Sequence, residues 1–161
     1  MQKSNFRDWT LEKLEETFGL QQQFQHDLLD RLFAYEYTPT DAEKTYLNLL
    51  RENYLRNGGE DWNEVELENK FIGPLIVLSQ IDNRRFSYFL ERDLIATKGA
   101  YALSGKVDGM IASGFRSPKK PFFCLHEYKR ESDPNGDPKG QALVAMLAAQ
   151  VLNANEKPLL G

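Results

Sequence analysis

The stretch FFCLHEYKRE, Phe122 to Glu131, begins as a core strand and turns charged before any turn residue appears. Phe122, Phe123, Cys124 and Leu125 suit a sheet interior, where buried strands read as short apolar runs. Residues two apart in a strand share a face, so Glu127 and Lys129 are expected side by side at its end. Glu68-Asn69-Lys70 has the same spacing but falls in an expected helix. Two positions there diverge by about 200°, so that copy does not converge on one site. An ordinary cross-strand ion pair would also account for Glu127 and Lys129.

A second unusual charge lies upstream, in Gly105-Lys106-Val107-Asp108-Gly109. Asp108 interrupts an apolar strand, and a buried carboxylate is costly unless it is paired or binds metal. Its neighbour Gly109 also suits a bulge. If consecutive strands pair antiparallel, Asp108 approaches Glu127, 19 residues later. Two carboxylates held together repel, and a divalent cation offsets that repulsion.

Around this pair the chain divides into a helical front and a strand-rich back. Trp9, Leu11, Leu14 and Phe18 have helical spacing, as do Phe24, Leu28, Leu29, Leu32 and Phe33. A third helix carries Tyr46, Leu47, Leu50 and Tyr54 behind a Thr40-Asp41 cap and closes at Asn57-Gly58-Gly59. A fourth starts at Asn63, with a kink or boundary expected at Pro74. Strands are expected over 85–95, 101–113 and from Phe122, then a turn-rich loop at 131–140 and a helix over 141–153. Residues 157–161 read as the start of another strand. The expected division is a helical extension over 1–60 and a mixed α/β core over 61–161, cut short at its last strand.

The bulk numbers bound the function class. At 161 residues the chain has the length of one domain, with 41% hydrophobic and 27% charged residues. No apolar run approaches the roughly 20 residues of a membrane span, and the N-terminus lacks a signal-peptide core. A single cysteine, Cys124, excludes an internal disulfide framework and fits a reducing, cytoplasmic setting. The net charge is −4, but Arg84 to Lys139 holds eleven Lys/Arg against seven Asp/Glu, a local balance of +4. That basic segment is the part suited to a polyanion.

The order Gly-x-x-Asp, then Glu-x-Lys, then a glutamine opening a helix resembles the PD-(D/E)XK nuclease superfamily, with its restriction-endonuclease-like αβββαβ core. The resemblance spans roughly 64–161 and points to the RecB-like branch. It implies a central, mainly antiparallel sheet flanked by helices, and hydrolysis of nucleic-acid phosphodiester bonds, DNA foremost. It also implies Mg²⁺ or Mn²⁺ held by Asp108, Glu127 and the main-chain carbonyl of Tyr128. Lys129 would orient the attacking water and stabilise phosphate charge. Gln141 would help hold the site, and Glu68, or its competitor Glu64 one turn earlier, would assist the metal from the preceding helix. Val107 stands where the family motif has proline, and Ala145 where RecB-like members place a tyrosine.

Arg116, Lys119, Lys120 and Lys139 are candidate contacts to the nucleic-acid backbone. His126, opposite Glu127, reads as a packing or surface residue. Cys124 reads as a small core residue with no His partner on its face. P-loop and zinc spacings are absent from the sequence. Two other readings stand beside the nuclease: an inactive module of the same fold that binds nucleic acid or protein, and a domain that dimerises or docks a partner through its aromatic N-terminal helices.

Overall fold

A long hairpin is the frame of the sheet in the computed structural model, which describes residues 1–128, 137–155 and 157–161. Strands β2 (Phe86–Lys98) and β3 (Tyr101–Ser113) pair antiparallel along their whole length, Lys98 against Tyr101 and Phe86 against Ser113. The turn between them uses Gly99 at φ 58°, a conformation glycine adopts without a Cβ penalty. On the other edge of β3 lie two short partners. Strand β1 (Gln2–Asn5) runs parallel to Tyr101–Ser104, and β4 (Lys119–His126) runs antiparallel to Gly109–Ser113. The result is a mixed four-stranded sheet. The segment Gly105 to Asp108 lies between β1 and β4 on that edge.

Contacts gather the chain into two units, Met1–Phe18 with Ser79–Gly161, and Gly19–Leu78. In the first, the sheet packs with α1 (Leu11–Phe18), α6 (Pro138–Asn153) and the 3-10 turn Phe6–Asp8. Leu103, Met110, Ala112, Val144, Ala148 and Leu14 are fully shielded from solvent. Burying a large aliphatic side chain contributes about 1.5–3 kcal/mol. Trp9, also fully buried, stacks on Phe18 and meets Tyr101 edge-on at 5.1 and 5.2 Å between centroids. Among the described residues no acceptor meets Trp9 Nε1. Gly140 abuts the main chain of Trp9 and Thr10, where any Cβ would overlap backbone. Asp137 ties this junction together by accepting from Gly140 N at 3.0 Å, at the start of α6, and from Leu11 N at 2.7 Å, at the start of α1.

The second unit is helical: α2 (Asp27–Phe33), α3 (Asp41–Arg56), α4 (Glu64–Leu67), a π-turn (Glu68–Ile72) and α5 (Gly73–Ser79). Thr40 and Glu43 close a reciprocal capping box on α3, as do Asn63 and Glu66 on α4. The wider π-turn precedes Pro74, whose missing N–H cannot continue the regular ladder. Tyr54, Trp62 and Phe71 form the aromatic centre of the unit.

The strand expected over 101–113 matches β3, and the helices expected around Thr10–Phe18, Tyr46–Tyr54 and 141–153 are present. Strand β1 is not among the expected elements: Gln-Lys-Ser-Asn has no apolar alternation, and its place comes from main-chain pairing. Strand β4 ends at His126, so Glu127 follows the ladder instead of lying within it. Leu160 pairs with β4 in parallel, its N–H to Phe123 O and its O to Leu125 N–H, where a further strand is expected to begin.

Candidate functional site

A shared irregularity of β2 and β3 marks the site. Buried positions on β2 are Ser87 and Phe89, then Leu94 and Ala96. On β3 the buried side chains are Leu103 and Val107, then Met110 and Ala112, with Gly109 also buried between them. Both sets change from one parity to the other at the same level of the hairpin. Glu91 and Asp108 fall at that level, in the unpaired step between the pairs Leu90–Gly109 and Arg92–Val107. Glu91 has φ 53°, a left-handed conformation that costs an L-residue about 1–2 kcal/mol. Such a residue kinks a strand and re-aims its neighbours, which is how bulges serve sites in other sheets. The Glu91 carboxylate meets Lys106 Nζ at 2.9 Å, both groups more than half exposed.

Asp108, half-buried, reaches the end of β4. Its Oδ2 accepts the backbone N–H of Tyr128 at 2.6 Å. That bond brings the Asp108 carboxylate to the peptide joining Glu127 to Tyr128. The His126 and Tyr128 side chains meet on one side, and Glu127 lies between them in the chain. Ionised carboxylates have about four acceptor positions each, so accepting the Tyr128 N–H does not exhaust Asp108 as a cation ligand.

On the His126 side there is a polar chain. Cys124 Sγ lies 3.2 Å from His126 Nε2, and His126 Nδ1 lies 2.8 Å from the Tyr128 hydroxyl. Tyr88 on β2 shares a hydrogen bond with the Tyr128 hydroxyl and stands 3.4 Å from His126 Nδ1. Burial holds the His126 imidazole below its usual pKa and pushes the Cys124 thiol up. A thiol so raised is a poor nucleophile at neutral pH. The expectation that Cys124 has no His on its face is therefore corrected. Positions 124, 126 and 128 share one side by the two-residue period, and the sequence shows it.

The remaining candidates fall in several places. Gln141 lies in the first turn of α6, 6% exposed. Lys139, nearby in the same turn, is exposed. Arg116, Lys119 and Lys120 are exposed at the β3–β4 connection, the opposite end of β4 from Glu127. Lys119 pairs with Ser113 and His126 with Gly109, four residues apart on β3, about 13 Å. Glu64 begins α4 and Glu68 begins the π-turn, both in the helical unit. Lys129 and most of the 131–140 loop lie outside the described residues.

Among the described residues, no three His, Cys, Asp or Glu side chains gather as a cation cage, and no helix is long and apolar enough to cross a membrane. Compared with known proteins, the chain matches no family model, no curated protein and no solved structure.

Proposed function

We propose that the first unit is a divalent-metal-dependent nuclease whose centre is built on Asp108 and Glu127. The observation that supports it most is the bond from Tyr128 N–H to Asp108 Oδ2, which draws one carboxylate to the residue beside the other. The donor set is hard oxygen: two carboxylates and the Tyr128 carbonyl. Magnesium takes one or two carboxylates and keeps several waters, so a full protein cage is not required. These residues fit the cation in chemical type.

When bound, the cation would supply charge to the phosphoryl group and acidify a water. Asp108 and Glu127 would hold it and set its place relative to the scissile phosphate. Tyr128 N–H, by occupying Asp108 Oδ2, would turn the rest of that carboxylate toward the cation. Lys129 would bring an ammonium to the phosphate as negative charge builds in the transition state.

The substrate is read as nucleic acid, DNA foremost. By formal charge the helical unit is acidic, with eleven Asp/Glu against five Lys/Arg, so the polyanion is assigned to the sheet unit. Incubation of the protein with supercoiled and linear DNA in Mg²⁺, Mn²⁺ or EDTA tests the reading. Cleavage that requires metal and is lost in Asp108→Ala supports it. DNA binding without cleavage favours the second reading, an inactive nuclease-fold module, for which the basic cluster at the far end of β4 provides a surface.

A further inference from the structure

We infer that Tyr88 and His126 are positioning residues, which lock the Tyr128 side chain and thereby fix the backbone N–H that holds Asp108. What Asp108 then does rests on the nuclease reading; the lock itself does not.

Strand β4 ends at His126, so Tyr128 stands two residues beyond the ladder. Main chain past a strand end frays unless something else holds it. Here the Tyr128 hydroxyl is tied to both Tyr88 and His126. Both anchors are firmly held. Tyr88 is paired with Ile111 in the β2–β3 ladder, and its N–H donates to Asp82 Oδ1 at 2.7 Å. His126 is paired with Gly109, and its second nitrogen is engaged by Cys124. The space for the lock comes from Gly109, where a Cβ would overlap the Tyr88 hydroxyl. Gly109 is also the neighbour of Asp108, so the residue that admits the lock adjoins the residue that the lock serves. If Tyr88 only filled space, its ring would suffice; in a lock, the hydroxyl carries the effect.

The test compares the full chain with Tyr88→Phe and Gly109→Ala. Exchange of the Tyr128 amide proton is followed by NMR without metal, and Mn²⁺ affinity by electron paramagnetic resonance. Tyr88→Phe is expected to speed Tyr128 amide exchange about tenfold or more and to weaken Mn²⁺ binding by about tenfold, the range seen for residues supporting metal ligands. The Leu125 amide, bonded to Leu160 O, serves as the control and should keep its protection. Gly109→Ala should give the same pattern by displacing the Tyr88 hydroxyl. An unchanged Tyr128 exchange rate in Tyr88→Phe overturns the lock, whatever the protein does with metal. A faster Tyr128 amide in a protein that binds no Mn²⁺ keeps the lock and overturns the nuclease reading instead.

Discussion

Tyr128 donates its backbone N–H to Asp108 Oδ2 at 2.6 Å, joining a residue just past the end of β4 to one at the kinked level of β3. The bond needs an acceptor at position 108, whereas cation binding needs a charge there. Asp108→Asn separates the two. It is expected to keep the fold, with a thermal midpoint close to that of the parent, and to lose about a hundredfold or more in metal-dependent cleavage. Equal loss of stability and activity would mean that Asp108 is structural.

Glu91 is held at φ 53° at the level of Asp108. Glycine accepts this conformation freely, so Glu91→Gly is expected to stabilise the protein by about 1 kcal/mol. A β-branched residue does not, and Glu91→Val should destabilise it. Urea denaturation measures both as shifts in midpoint at constant slope.

Gly140 meets main-chain atoms of Trp9 and Thr10, which cannot swing aside as a side chain would. Gly140→Ala is expected to cost about 1–3 kcal/mol and to move the first turn of α6, with Gln141, away from the 3-10 turn. Reduced cleavage should accompany the lower unfolding midpoint.

Acid should weaken the fold in two steps. Burial lowers the pKa of His126 below its ordinary 6.5, so its contribution is complete above that value and is lost as pH falls through the folded pKa. Asp137 is lowered from 3.8, chiefly by the Leu11 N–H, so its contribution persists to lower pH and then fails in the same direction. Asp137→Asn should flatten the acid limb of the stability curve below about pH 4 and leave the limb below the ordinary histidine range in place.

Lys119 and Lys120 lie far along β4 from Glu127. Replacing both by alanine is expected to weaken DNA binding and to reduce its salt slope by about 0.9 for each phosphate no longer neutralised. Cleavage of fully bound DNA should be unaffected, since both lysines start β4 and Glu127 follows its end. A fall in the single-turnover rate at saturating protein would contradict this separation.

The hairpin and its helices are legible in the sequence because their apolar spacing follows the strand and helix periods. The run 101–113 is continuous with β3, and Thr40 and Asn63 announce their caps. Strand β1 is hidden because its residues are polar and main-chain bonds alone place it. The parity change at Glu91 is hidden as well, since the backbone kink that accompanies it leaves no compositional mark. Asp108 stands out as a charge within an apolar strand, and its approach to Glu127 follows from antiparallel pairing. The Cys124–His126–Tyr128 side of the strand is readable from the two-residue period, but its partner Tyr88 requires the register of β2 on β3. Burial of Gln141 likewise depends on how α6 docks.

The central claim is that Asp108 and Glu127 hold one divalent cation. Titration of the full chain with Mn²⁺, following the signal of the free ion by electron paramagnetic resonance, tests it most directly. A single site is expected in the parent protein, weakened at least about tenfold in Asp108→Asn and in Glu127→Gln. A parent protein that takes up no Mn²⁺, or variants that bind it as tightly as the parent, would contradict it.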